Sequence, residues 1–270
     1  MFVTIINDCR DDNARSRQES RITSHLACPV SFIGVNSDLE AGMQLVDILD
    51  ATEGRLGLIL VNVAPRGGHT TRWENGTPFA YCRYGETLII STVDGFALSG
   101  LRRFTSIDEV QLLDTHSTAA AMLTAGFINE TTAAHIPRTQ FRSFDFSPRA
   151  GIFLLQGNTL PSEPYTLSNV PDLPPAIWHI DSFGNCKTTL TPDDVETYTD
   201  VVTRYGTFPF IEQLRNLPDA TTGIIRGSSG FGQTRLLELM IQRGNFAERH
   251  QAHIGDDILS EQSHFTRATT

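Results

Sequence analysis

The stretch "WHIDSFGNCKTTL", Trp178 to Leu190, sets a carboxylate, a Ser-Phe-Gly turn and an amide between two runs of strand character. An Asp-Gly or Asn-Gly pair is enough to close a plain hairpin. Here Asp181 and Asn185 stand four residues apart with Gly184 between them, so the segment carries more hydrogen-bonding chemistry than hairpin closure demands. The simplest reading makes Asp181 a turn residue and Asn185 an Asx cap. A second reading makes the two side chains partners for a ligand.

Working outward, "AIWHIDSFGNCKTTL", "TGIIRGSSG" and "RLLELMIQRGN" are short apolar or alternating runs broken by Gly, Ser and Asn. They predict a small, mostly β domain over 176–260, with 261–270 as a frayed tail. The preceding segment, Asn158 to Pro175, holds five prolines and reads as a linker. Residues 1–157 alternate differently. "FVTIIND", "LGLILVNVAP" and "ETLIISTVDG" are apolar runs of buried-strand type. Asp38 to Ala51 has Leu39, Met43, Val46 and Leu49 near helical spacing, with Asp38 placed as N-cap, and "HSTAAAMLTAGFINE", His116 to Glu130, reads as one helix. This alternation predicts an α/β domain with a mostly parallel sheet. Ligands sit at the carboxyl ends of such strands, where Asp8, the Ala64–Gly68 turn and Asp94 are expected to gather.

Composition narrows the function. The chain has 270 residues, 40% hydrophobic, and a formal net charge of -10. That field attracts neither nucleic acid nor an anionic membrane. No apolar run is long enough to span a bilayer, and "MFVTIINDC" reads as a strand without the basic start of a signal peptide, so a cytoplasmic location is expected. The four cysteines form no C-x-x-C pair, and reduced thiols are expected. There are twenty Arg and one Lys, and that lysine, Lys187, lies inside the opening stretch. Codon bias with chance placement accounts for it; a functional role is the alternative.

The common phosphate cradles, the G-x-S-x-G elbow and H-E-x-x-H are absent from the sequence. His250 and His253 read as a solvated surface pair, and no metal site is expected. "VAPRGGHTTR" and "RGSSGFG" are glycine turns whose amides and hydroxyls suit a ligand's polar groups, although each is as well explained as a loop needing positive φ.

In their order along the chain these motifs resemble the S-adenosylmethionine (SAM) hydroxide adenosyltransferases and the related fluorinases and chlorinases. The family carries an I-D-x-F-G-N-x-x-T-N core, matched by Ile180, Asp181, Phe183, Gly184, Asn185 and Thr188, with Thr189 in place of the final Asn. "NDCR" keeps only Asp8 of the opening turn, "APRGGHTTR" keeps Pro65, Gly68 and the Thr-Thr-Arg of the halogenases, and "VDG" stands for a later Asn-Gly. "FRSFDFSP", "GSSGFG", "RGNFAERH" and "IGDDIL" stand for the later motifs, so the resemblance runs from Phe2 to Leu259. It implies an N-terminal α/β domain, a C-terminal β-barrel and a homotrimer. It also implies that Asp181 takes the ammonium of the methionine moiety, Asn185 reads the adenine edge, and Phe183 belongs to the same binding motif. Asp8 would bind the ribose hydroxyls, and Ser228 or Ser229 the methionine carboxylate.

The departures bear on mechanism. The hydrolases place an Asp, an Arg and a His around the attacking water. Those positions fall here on Ala64, on Thr71 or Arg72, and on Arg142. The halogenase serine that holds the halide aligns with Ser143. Arg142, His69, Arg72 and Ser143 are therefore the catalytic candidates, with no metal or organic cofactor implied. The expected function is cleavage of SAM at ribose C5′ by water or hydroxide, giving adenosine and methionine. The alternatives are a non-catalytic adenosine- or SAM-binding protein and a structural oligomer without a ligand.

Overall fold

The computed structural model describes residues 1–64, 76–195 and 200–259. It divides into two units, Met1–Asp172 and Leu173–Thr270. In the first, strands β1 (Phe2–Asn7), β2 (Val30–Gly34), β3 (Gly57–Asn62), β4 (Phe79–Tyr84), β5 (Thr87–Thr92), β6 (Glu109–Leu113) and β7 (Glu163–Thr166) form one sheet in the order β2-β1-β3-β5-β4-β6-β7. The β1–β2, β1–β3 and β3–β5 pairs are parallel, while β4–β5, β4–β6 and β6–β7 are antiparallel. Five of the seven strands therefore point the same way. The helices are α1 (Asp12–Thr23), α2 (Asp38–Thr52), α3 (Ser99–Phe104), α4 (Thr115–Thr124), α5 (Glu130–His135), α6 (Arg142–Asp145) and α7 (Ser147–Leu155).

The parallel strands are near-continuous apolar runs because both faces are covered. On one face Val3, Ile5, Leu58, Leu60, Leu88 and Ile90 share a core with Ile22 of α1 and Ile152 and Phe153 of α7. Alternation turns Ile6, Ile59 and Val61 to the other face, where α2 packs against β1 and β3. The N-cap of α2 is Ser37, which accepts from Glu40 N, rather than Asp38. Asp38 instead accepts from Phe96 N at 2.8 Å, tying the start of α2 to the loop after β5. His116–Glu130 is not one helix. α4 ends at Thr124 with Ala125 as its C-cap, Gly126 turns at φ +71°, and α5 begins at Glu130. Asn158–Pro175, expected as a linker, contributes β7 to the sheet edge and buries Leu160 and Leu167. Its prolines are compatible with that edge position.

The second unit contains β8 (Ile177–Ile180), β9 (Cys186–Thr188), β10 (Val201–Thr203), β11 (Gly206–Phe208), β12 (Phe210–Ile211), β13 (Thr222–Phe231), β14 (Thr234–Ile241) and α8 (Phe246–His250). Five strands form a sheet in the order β12-β13-β14-β9-β8, and β10–β11 is a separate hairpin. Among the described residues no pairing closes these strands into a barrel. Ile177, Cys186, Leu237, Leu239, Ile241 and Phe246 form the centre of its core. His250 and His253 do not form a solvated pair. His250 stacks on Phe246 at 4.4 Å and meets Tyr205 and Phe208 edge-on, while His253 Nδ1 faces Asp256 at 3.8 Å.

A Cβ on Gly42 would overlap the Phe96 carbonyl oxygen, so α2 lies directly on backbone there. Gly42→Ala should therefore destabilise by about 1–3 kcal/mol in urea unfolding, although Ala is intrinsically the better helix former by about 1 kcal/mol. A gain in stability would show that α2 is free to shift. Burial, with Arg249 adding repulsion, holds the His250 imidazole below its ordinary value. The folded state thus disfavours the charged ring, and its contribution is intact above the ordinary histidine range and lost as pH falls through the folded value. Thermal melts should drop between about pH 7 and pH 5, and His250→Leu should flatten that slope.

Candidate functional site

The Asp181–Asn185 turn is built around one carboxylate. Asp181 Oδ1 accepts from Phe183 N at 2.8 Å and from Asn185 N at 3.0 Å, and Oδ2 accepts from Asn185 Nδ2 at 2.9 Å. The backbone closes in parallel, with Asp181 N donating to Asn185 O and Gly184 N to Asp181 O, both at 3.0 Å. Gly184 sits at φ +80°, and a Cβ there would overlap the Asn245 side chain. Asn245 in turn caps α8 by accepting from Glu248 N, and Ala247 N donates to Gly184 O. Three acceptor positions of Asp181 are used by the turn, and an ionised carboxylate offers about four. Among the described residues the arrangement leaves the side-chain oxygen and the second amide hydrogen of Asn185 for another partner, which is one acceptor and one donor. Phe183, at the tip, is 74% exposed.

The threonines that end the opening stretch are structural. Thr188 Oγ1 donates to Leu237 O at 2.7 Å, binding β9 to β14. Thr189, in the position of the resembled family's Asn, is buried, accepts from Ala176 N at 3.0 Å and donates to Pro174 O. The two serine candidates differ. β13 loses register with β14 between Arg226 and Gly230, which lifts Gly227–Ser229 out of the ladder. Ser228 is exposed, and its amide donates to Glu238 Oε1 at 3.4 Å. Ser229 is 3% exposed, and its hydroxyl accepts from Lys187 Nζ at 2.7 Å. The Lys187 ammonium also lies 5.7 Å from the Trp178 ring centre.

In the first unit, Asp8 follows the carboxyl end of β1. Its amide donates to Asn62 O, and its Oδ2 accepts from Ala64 N at 3.0 Å. Sequence reasoning missed what holds this edge. Asn7 is fully buried, donates to Gln18 Oε1 at 3.0 Å, and accepts from Asn62 Nδ2 and Cys9 N. An Asn ending two apolar runs in register was the available signal. Arg142 opens α6, donates to Gly76 O at 3.5 Å and stands over the Phe79 ring at 5.7 Å. Burial lowers its pKa. It borders a cavity of about 640 Å³ with Leu113, Asp114, Ser117 and Glu163. Asp114 is held below the ordinary carboxylate range, chiefly by the Ser117 amide at the start of α4. Ser143 is half-buried beside Arg142, and its carbonyl oxygen accepts from Ser147 Oγ. Asp145, two residues on, was also missed. It is buried and gathers Thr139 Oγ1, His135 Nε2 and Arg149. His69 and Arg72, with Pro65 and Gly68, lie outside the described residues. Asp94 is buried, and its amide donates to Thr77 Oγ1.

The structure thus brings Asp181, Phe183 and Asn185 into one turn, joins Ser229 to Lys187, joins Asp8 to Ala64, and sets Arg142 next to Ser143 at a cavity. None of the four cysteines is in a disulfide, and burial pushes the Cys82 and Cys186 thiols up to about 12, away from nucleophilic use at neutral pH. Among the described residues no group of three or more His, Cys, Asp or Glu gathers to hold a metal ion. No helix among them is long and apolar enough to cross a membrane.

Residues 175–259 match the family described as the SAM hydroxide adenosyltransferase C-terminal domain. The chain is similar in fold to an uncharacterized conserved protein from Thermotoga maritima, with TM-score 0.66 and 13% identity over 96% of this chain and 98% of that one. A conserved hypothetical protein from Thermus thermophilus is similar with TM-score 0.53 and 18% identity, covering 95% and 99%. No curated protein sequence matches the chain. The segment matched by the SAM hydroxide adenosyltransferase C-terminal domain family contains the whole Asp181–Asn185 turn, the β13 bulge and α8.

Proposed function

We propose that this protein binds SAM at the Asp181–Asn185 turn and cleaves it at ribose C5′ with water or hydroxide, giving adenosine and methionine. The observation that carries the reading is the family match over 175–259, which includes that turn. The geometry supports it. The remaining acceptor position of Asp181 suits an ammonium, and the remaining acceptor and donor of Asn185 suit an adenine edge. Among the described residues Asp8 uses only Oδ2, on Ala64 N, which gives Oδ1 for ribose hydroxyls.

In this reading the sulfonium is already a good leaving group, and the protein aligns a desolvated nucleophile opposite it. Arg142 stays protonated, so it acts by charge, holding hydroxide or water rather than taking a proton. Ala64 neither accepts a proton nor orients water through its side chain. His69 would supply a base of suitable range, and Arg72 a second cation. Ser143 would hold a halide if one replaced water. The same reading includes a homotrimer, a cytoplasmic location, and no metal or organic cofactor. One observation favours a second reading, a non-catalytic SAM- or adenosine-binding protein: Ala64 replaces a polar residue at the water position, and its amide is already tied to Asp8.

Two measurements test the proposal. By calorimetry, Asp181→Asn should weaken SAM by roughly 2–5 kcal/mol and adenosine far less, because adenosine lacks the amino acid. Asn185→Ala should weaken both. Equal small effects on the two ligands would remove the assignment. In steady-state turnover of SAM, with adenosine and methionine resolved by chromatography, Arg142→Ala and His69→Ala should each slow the reaction by about a hundredfold. Fast turnover untouched by either would place the chemistry in other loops, and SAM binding without products would select the second reading.

A further inference from the structure

The chain's one lysine sits at the bulge beside the proposed methionine site. Twenty of its twenty-one basic side chains, Lys excepted, are arginines. Lys187 lies on β9, two residues beyond Asn185, with core-facing Cys186 between them. Strand alternation therefore puts Asn185 and Lys187 on one face, and the backbone hydrogen bond from Asp181 N to Asn185 O brings Asp181 to the same end.

The ammonium is held by a neutral group. Its hydrogen bond runs to the Ser229 hydroxyl at 2.7 Å, and Ser229 is fixed by burial within the β13 bulge. Glu238 is directly opposite Lys187 in register and on the same face, and its Oε1 accepts from the Ser228 amide at 3.4 Å. A Cβ on Gly227 would overlap that carboxylate, so Glu238 fills the space beside the bulge. The bulge is thereby shaped by Glu238, and the Ser229 hydroxyl holds the Lys187 ammonium. A hydroxyl partner leaves the lysine's charge uncompensated by that bond, and among the described residues it uses one of the three N–H donors, which gives two for an anion.

We propose that Lys187 binds the α-carboxylate of the substrate, with Ser229 as its positioning residue, so that the site selects sulfonium nucleosides carrying an intact amino acid. The inference rests on the reading that SAM is the ligand. Asp181 follows β8 and Lys187 lies on the paired strand β9, so the two supply opposite charges at one end of the β8–β9 pair, for the ammonium and the carboxylate of an α-amino acid respectively. Asp181 alone would accept any amine. The added cation makes the carboxylate part of the recognition.

The test compares SAM with decarboxylated SAM and adenosine by calorimetry on the full chain. Native protein should prefer SAM over decarboxylated SAM by about 10- to 100-fold, the range of a hydrogen bond to a charged group. Lys187→Met should erase that preference by weakening SAM alone, with decarboxylated SAM and adenosine unchanged, and Ser229→Ala should reduce it partly. A second readout needs no substitution. Lysine-selective ¹³C,¹⁵N labelling during expression reports a single side chain, whose ε-resonances should move on SAM addition and stay in place with decarboxylated SAM. Native protein that binds both sulfonium ligands equally, or a Lys187→Met loss shared by all three ligands, overturns this inference while leaving SAM binding standing. Absence of saturable SAM binding to native protein overturns both.

Discussion

One carboxylate with three N–H donors organises the second unit's site. Asp181 fixes the Phe183 and Asn185 amides and the Asn185 side chain at once. Without that acceptor, three polar groups at the β8–β9 end would need other partners, and the turn would lose its shape. The shape propagates. Gly184, left-handed because the turn demands it, lets Asn245 approach, and Asn245 caps α8. The recognition surface is consequently assembled by the fold and needs little ordering when a ligand arrives, which favours affinity.

The first unit solves the same problem with amides. Asn7 ends β1 in register with Asn62 at the end of β3, and Gln18 from α1 completes the set. These groups satisfy each other where the ladder stops, so the edge beyond them stays open for Asp8 and Ala64. Arg142 follows another logic. Its guanidinium is partly desolvated against the Phe79 ring with a carbonyl as hydrogen-bond partner, an environment that strengthens its pull on an anion.

Much of this was legible in the sequence. The strands β1, β3 and β5 read directly because burial on both faces makes them continuously apolar, and the Asp181–Asn185 turn stood out because it exceeded what a hairpin needs. Other elements were hidden by context. Helix α1 is so polar that it shows no apolar stripe, and only Gln18 and Ile22 are buried. The Asn158–Pro175 segment looked like a linker because edge pairing asks little of composition. The break at Gly126 depends on one left-handed residue inside an otherwise helical pattern. His250 looked solvated because its aromatic neighbours Tyr205 and Phe208 are far away in sequence. In the site, sequence reasoning named Ser228 and Ser229 together; only the bulge separates an exposed serine from a buried one that holds Lys187.

The central claim is that the Asp181–Asn185 turn is the recognition element for SAM. A crystal structure of the protein grown with SAM tests it most directly. The account predicts the methionine ammonium within hydrogen-bonding distance of an Asp181 carboxylate oxygen and the adenine edge on the Asn185 amide, with the turn unchanged. SAM bound elsewhere, with neither residue in contact and the Asp181 carboxylate still closed on its own turn, would contradict it.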